Sequence, residues 1–394
     1  MDWENVRRHL QIGLGEPGYV LQQILPIVRY WFNRLISDYS FGYSFALNVV
    51  FLIPSFKCNL RCKMCSLWGE QGLCKTYPQM LEEELSLDEL KRIVDGFASY
   101  YPSVILFGGE PLLYKDWYEL SKYIKKKKLR CHLPTNGTLL EENAYRVVET
   151  MDNIDLSLDG TKDIHDEIRG RKGTFDKAIS GIKLVNQIKA EQGKRKPYLN
   201  VCCTITEGNY RYLEDLAKYF CDNKIEINIL NFQHVEFTNR ETLAEHNKVF
   251  EALFGVKNPY WRGAVSPPKD IDLEYLIKVI ERLESNQYKE IRYIEFEPNF
   301  TPQEIREYYD RRSLNPKPSF KKCLAPWFMA QVLPSGGVWL CPGYSIGNAK
   351  EVSLPSLWNN KKAREFRRVL NQRRSFPMCG NCYTVYLYKD LGSF

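Results

Sequence analysis

The sequence predicts an α/β protein in which a partial (β/α)6 barrel is followed by a small, cysteine-bearing C-terminal domain. Three observations lead there. Between residues 47 and 235, short β-branched or apolar runs alternate with stretches of helical periodicity, the pattern of parallel strands wrapped by helices. The chain has 394 residues, enough for more than one hydrophobic core. Most of its 12 cysteines fall into two groups, one just after the first apolar run and one beyond residue 320.

Residues 1–46 read as an N-terminal helical segment. Leu21, Ile24, Leu25, Val28, Trp31, Phe32 and Leu35 recur at helical spacing, with Pro26 placed to kink the helix. The segment is expected to cover one end of the main domain. The alternative is an interfacial helix resting on a membrane beside a lipid-like substrate, which would make the protein membrane-peripheral. Residues 39–56 carry no charge, but Ser40, Gly42, Ser44, Asn48 and Pro54 argue for a buried strand entering a loop rather than a membrane span.

The barrel, residues 47–235, is expected to have strands at 47–53, 103–107, 130–133, 154–158, 199–205 and 226–230. Helices are expected at 87–99, 117–127, 143–150, 174–190 and 210–221. Residues 236–320 read as connecting helices and loops, with helices at 273–284 and 302–309, and residues 321–394 as the second domain. In such folds ligands gather at the strand ends, where the loop backbone is free to face them.

Charge excludes little: 55 Lys and Arg against 48 Asp and Glu leave +7 over the whole chain. The run Lys125 to Lys128 closes a helix, where cations complement the carbonyl end of the dipole. No aromatic residue interleaves with it as a base-stacking platform, so no nucleic-acid partner is expected. The chain opens Met1-Asp2-Trp3-Glu4, with no secretion signal, so its thiols are expected to serve metals or chemistry in the cytoplasm.

Cys58, Cys62 and Cys65 place three thiols in one loop directly after the first strand. Thiolates are the usual ligands of 4Fe-4S clusters, and three of them leave one iron open to bind and act on a ligand. A zinc site borrowing a fourth ligand such as Cys74 is the competing reading, and the spacing favours iron–sulfur.

This CX3CX2C pattern resembles the signature of the radical S-adenosylmethionine (radical SAM) superfamily, and further motifs follow in the family's order. Gly108, Gly109, Glu110 and Pro111 are similar to its GGEP segment, which receives the methionine ammonium. Thr135 and Asn136 follow the third strand. Ser157 and Asp159 through His165 to Arg169 resemble its SLDG…H…IRG run, placing Ser157 and Asp159 by the ribose hydroxyls and Arg169 by the methionine carboxylate. The resemblance implies a radical SAM partial barrel and an enzyme that reductively cleaves S-adenosylmethionine to a 5′-deoxyadenosyl radical, which removes a hydrogen atom from the substrate. An electron donor such as a flavodoxin or ferredoxin is implied as a partner. Family members usually have an aromatic residue before the third cysteine, where this chain has Met64.

Beyond residue 320 come Cys323, Cys341, Cys379 and Cys382. Alone they would suit a four-cysteine zinc site equally well. Their setting, with Gly336 ahead of Cys341 and a closing CX2C, resembles the SPASM/twitch domains of radical SAM enzymes. That implies a second, auxiliary 4Fe-4S cluster with four thiolate ligands. Of the remaining cysteines, Cys202 and Cys203 on the fifth strand are candidate hydrogen donors to a substrate radical, and the alternation of a strand lets only one face inward. The expected reaction is net oxidation or modification of a small polar molecule, with peptide or lipid modification as alternatives. A non-catalytic zinc- or cluster-binding module is the reading from a different class. His234, Glu236, Glu295 and Glu297 are expected near the substrate pocket.

Overall fold

The computed structural model describes residues 28, 31–258, 260–265, 268, 270–309 and 322–386. Six parallel strands fall on the apolar runs: β1 (Val49–Leu52), β2 (Ser103–Leu106), β3 (Arg130–Thr135), β4 (Asn153–Ser157), β5 (Tyr198–Ile205) and β6 (Ile227–His234). Along β1 to β4 every second side chain is buried. Val50, Leu52, Val104, Leu106, Leu133, Ile154 and Leu156 join the helices in one apolar core, and their neighbours line the concave interior.

The helices between these strands are α1 (Leu87–Phe97), α2 (Trp117–Lys126), α3 (Leu140–Thr150), α4 (Lys162–Arg169), α5 (Thr174–Glu191) and α6 (Leu213–Asp222). Helix α1 shows why they form. Ser86 and Glu89 make a reciprocal capping box, and Leu90, Ile93, Val94 and Phe97 give one buried stripe. Helix α4 was read only as a motif segment, and it ends where Gly170 takes φ +70°.

The segment 236–320 contains helices α7 (Arg240–Phe254), α8 (Leu273–Ser285) and α9 (Pro302–Tyr309), and also a seventh parallel strand, β7 (Ile291–Glu297), paired to β6. The reading as connecting helices and loops lacked this strand, because it alternates apolar residues with Arg292, Glu295 and Glu297 instead of forming an apolar run. At the other side, β8 (Met329–Val332), β9 (Gly337–Cys341) and β10 (Tyr344–Asn348) extend the same sheet. Strand β8 pairs in parallel with β1, giving the order β10-β9-β8-β1-β2-β3-β4-β5-β6-β7.

The described part of the N-terminal segment is held by the C-terminal domain. Asn33 Nδ2 and Ser44 Oγ both donate to the Trp327 carbonyl (3.3 and 2.7 Å), and Asn371 Nδ2 donates to the Ser37 carbonyl (2.6 Å). Buried Arg367, on helix α10 (Lys361–Arg373), donates to the carbonyls of Pro326 and Gly42. Leu21, Ile24, Leu25 and Pro26, which carry the expected helix, lie outside the described residues. Among the described residues no helix is long and apolar enough to cross a membrane.

His165 and His234 are buried, and burial pushes the pKa of each down to about 3. Their folded values lie below the unfolded value, so the unfolded chain binds more protons between about pH 6.5 and pH 3. Stability is therefore expected to fall with pH through that window, by about 1.4 kcal/mol per pH unit for each histidine, as a denaturant titration at pH 7, 6 and 5 would show.

Candidate functional site

The loop after β1 carries Cys58, Cys62 and Cys65, and backbone contacts fix its path. The Lys63 N–H donates to the Ile168 carbonyl (3.0 Å), tying the loop to α4, and the Cys65 N–H donates to the Cys62 carbonyl (3.2 Å). Arg61 stacks over Trp68 at 3.7 Å, and the Trp68 indole donates to the Phe56 carbonyl. The Gly108-Gly109 turn after β2 runs directly against this loop. A Cβ at Gly109 would lie 2.2 Å from the Lys57 carbonyl oxygen, and Gly108 takes φ +146°. Gly109→Ala is accordingly expected to cost about 1–3 kcal/mol and to displace the cysteine loop, read as a lower melting temperature together with reduced iron content.

Glu110 is buried under the same loop. One carboxylate oxygen accepts from the Leu112 N–H (3.1 Å) and Thr135 Oγ1 (2.8 Å), and the other from the Asn136 N–H (2.8 Å). The side chain thus joins the ends of β2 and β3. Pro111 opens the short helical turn that follows. Asn136 Nδ2 donates to Asn59 Oδ1 (2.9 Å) and lies 4.0 Å from Cys58 Sγ.

Opposite, Asp159 and Arg169 form a buried ion pair, Oδ2 to Nε 2.6 Å, while Asp159 Oδ1 accepts from the Thr204 N–H (3.0 Å). Arg169 Nη1 lies 3.7 Å from Cys62 Sγ. The Asp159 N–H donates to His165 Nδ1 (3.1 Å), which fixes that ring as neutral with Nδ1 unprotonated. Ser157 is half-buried on the interior face, in register with Cys202. The structure therefore gathers Cys58, Cys62, Glu110, Thr135, Asn136, Asp159 and Arg169 at the mouth of β1 to β4.

The donor set fits an iron–sulfur cluster. Burial, with help from Glu110 and the other two thiols, pushes the Cys58 thiol up to about 12, and burial raises Cys62 as well. Thiolates form at such positions only against a strong local positive charge, which iron supplies as it displaces the protons. Cys74 is buried on Ile53, Phe56 and Leu333, close enough to Cys65 for their charges to interact.

In the C-terminal domain Cys323, Cys341, Cys379 and Cys382 line one cavity together with His246, Trp261 and Met378. Burial raises Cys341 and Cys382, with Glu236 adding to Cys382 and the neighbouring thiols adding to both. Four thiols around a common space again fit a cluster. Tyr260 links the two sites, with electrostatic reach to both Cys65 and Cys382 and a hydrogen bond to Ser66.

Of the residues expected at a substrate pocket, His234 instead packs among Phe300, Tyr308 and Tyr309, with Nδ1 2.9 Å from Tyr309 Oη. Glu236 accepts from the Tyr383 N–H, and Glu297 accepts from Tyr383 Oη (2.6 Å), so the residue after Cys382 reaches into the barrel. Cys202 is the half-buried, inward member of its pair; Cys203 is fully buried and receives Asn209 Nδ2. Sequence reasoning missed Asp155, Asn200, Asn231 and Tyr383. For Asp155, Asn200 and Asn231 the available signal was polar residues at alternate positions of buried parallel strands, which are ordinarily apolar throughout.

Residues 52–218 match the radical SAM superfamily, and residues 323–383 match SPASM, an iron–sulfur cluster-binding domain. The chain is 34% identical over 170 residues to the AdoMet-dependent heme synthase of Oleidesulfovibrio alaskensis, covering 42% of this chain and 40% of that one. It is 39% identical over 187 residues to the Fe-coproporphyrin III synthase of Methanosarcina barkeri, covering 47% and 43%. These matches span about two fifths of the relatives' length. The crystal structure of Streptococcus suis SuiB bound to precursor peptide SuiA aligns with a TM-score of 0.55 at 17% identity, over 88% of this chain and 73% of that one, a likeness of fold. With both domains matched in the order the cysteines take along the chain, this protein carries a radical SAM domain, which implies a 4Fe-4S cluster and S-adenosylmethionine as cofactors, and a C-terminal SPASM domain, which implies an auxiliary cluster.

Proposed function

We propose that the protein reductively cleaves S-adenosylmethionine and removes a hydrogen atom from a small polar substrate held inside the barrel. The observation that carries this reading is the convergence of Cys58 and Cys62 with Asn136, Glu110 and the Asp159–Arg169 pair at one barrel mouth. When bound, the cluster supplies the electron that splits the sulfonium C5′–S bond to methionine and a 5′-deoxyadenosyl radical.

The chain's own residues do the positioning. Cys58, Cys62 and Cys65 would hold the cluster and leave one iron open to S-adenosylmethionine. Glu110 would receive the ammonium, and the hydrogen bonds from Thr135 and Asn136 fix its carboxylate in place. Arg169, oriented by Asp159, would meet the methionine carboxylate and Ser157 would face the ribose; Asp159, expected at the ribose, is instead fully buried against Arg169 and the Thr204 N–H and acts by holding Arg169. The interior excludes bulk water, which protects so reactive a species from side reactions. Cys323, Cys341, Cys379 and Cys382 would saturate the auxiliary cluster, which leaves it electron relay or a wall of the active site as its role rather than direct substrate binding.

Polar side chains on the interior faces of β4 to β7 favour a small polar substrate over a lipid. The test is anaerobic incubation of the reconstituted, reduced protein with S-adenosylmethionine. Formation of 5′-deoxyadenosine is expected, and its absence from protein carrying about eight irons would overturn the reading. Cys382→Ala is expected to lower iron by about four per chain while leaving this cleavage measurable, which separates the two sites.

A further inference from the structure

Below the barrel mouth, the interior faces of β4 to β7 carry an unusual set of side chains. Asp155 accepts a hydrogen bond from Asn200 Nδ2 (2.9 Å). Glu297 Oε2 accepts from Asn231 Nδ2 (2.6 Å) and from Tyr383 Oη (2.6 Å), with Gln233 Nε2 at 3.4 Å. Cys202 sits among them, within electrostatic reach of Asp155, Glu297 and Arg169, so this cluster adjoins the cysteine loop. Asp155, Cys202, Glu297 and Tyr383 are only half-buried.

What these groups offer is almost wholly acceptor. Asn200 and Asn231 are more than nine-tenths buried, and each gives an amide N–H to a carboxylate and leaves its carbonyl oxygen without a hydrogen-bond partner among the described residues. Among the described residues neither Asp155 nor Glu297 has a Lys, Arg or His partner. Two carboxylates and two bare amide oxygens around one space are costly to bury with nothing donating to them. The proximity shows in Asp155, whose pKa burial and then Glu297 push up to about 6.

We infer that Asp155, Asn200, Asn231 and Glu297 form a recognition site for a protonated nitrogen of the substrate, an ammonium or guanidinium group with several N–H donors. Such a group satisfies both carboxylates and both amide oxygens at once, and its charge-assisted bonds are the strong ones. The site fixes the substrate by its basic end and leaves the bond to be attacked toward the cysteine loop. This rests on the proposed hydrogen-abstraction activity and names the substrate class for it. The basic nitrogen can belong to an aminated small molecule or to a lysine or arginine side chain of a peptide.

The test is calorimetric binding to the anaerobic holoprotein with S-adenosylmethionine present. D-glucosamine is compared with D-glucose, and N-acetyl-lysinamide with N-acetyl-norleucinamide. At least one cationic probe is expected to bind tenfold or more tighter than its neutral counterpart, with the preference lost in Asp155→Asn and Glu297→Gln. A preference confined to glucosamine assigns a small aminated substrate, and one confined to the lysine amide assigns a peptide side chain. Equal binding of the neutral probe, survival of the preference in both variants, or no binding of either cation overturns the proposal. Glu297 also holds Tyr383, so if Glu297→Gln loses iron or melts early, Asp155→Asn, whose side chain hydrogen-bonds only Asn200 among the described residues, decides. In the same preparations 5′-deoxyadenosine is measured: its absence with the binding preference intact sinks the activity alone, and its presence without the preference sinks the recognition site alone.

Discussion

Replacing Cys58, Cys62 or Cys65 by serine is expected to abolish 5′-deoxyadenosine formation, a loss of at least a thousandfold, and to remove about four irons per chain. The magnitude follows from the site's construction. Three ligands are the minimum that hold a cluster with an open position, so no spare thiolate takes over, and Cys74 is packed on Ile53, Phe56 and Leu333. Iron and sulfide analysis with the visible spectrum reads the loss, and the Cys382→Ala protein supplies the comparison. Iron unchanged in all three variants would remove the assignment. The fold should survive, because Val50 and Leu52 of the preceding strand are buried independently of any metal.

The second large effect is expected at Asp159. Asp159→Ala leaves Arg169 buried without its carboxylate and also deprives the Thr204 N–H of its acceptor. Breaking a buried pair by removing one partner costs about 3–5 kcal/mol. The measurement is urea denaturation of the protein before cluster loading, so that metal binding does not mask the change. Asp159→Asn keeps an oxygen for Thr204 and should cost less. The double variant Asp159→Asn, Arg169→Met should be closer to the parent than Asp159→Ala, since the uncompensated charge is gone. If Asp159→Ala melts with the parent, the ion pair is not what holds α4 to the strand ends.

Much of this was legible in the sequence because the relevant signals are local. An apolar run of four to eight residues between turn residues announces a buried parallel strand, and β1 to β6 lie on the expected runs. The cysteine loop and the glycine turn are short motifs legible from spacing alone, although what requires Gly109 is tertiary: the carbonyl of Lys57, from the loop after β1, passes 2.2 Å from where its Cβ would be. Strand β7 was illegible because Ile291–Glu297 alternates charged with apolar residues, and only its place beside β6 turns Glu295 and Glu297 inward. Tyr383 gave no signal either. It follows a cysteine in a short loop, and its partner Glu297 is brought to it by tertiary packing alone. Ambiguity between Cys202 and Cys203 was of a different kind: the period of two guaranteed that one faces inward, and strand register chose Cys202, opposite Ser157.

The pairing of β1 with β8 joins Val49 to Met329, about 280 residues apart in the chain. On the ribosome, therefore, the strand that leads into the cysteine loop lacks this second neighbour until the chain has grown past β8. Contacts of such sequence separation close slowly, since the entropy of the intervening chain is lost before the pairing returns anything. The loop of Cys58, Cys62 and Cys65 therefore leaves a strand whose two neighbours come from opposite ends of the fold, one from the barrel and one from the second domain.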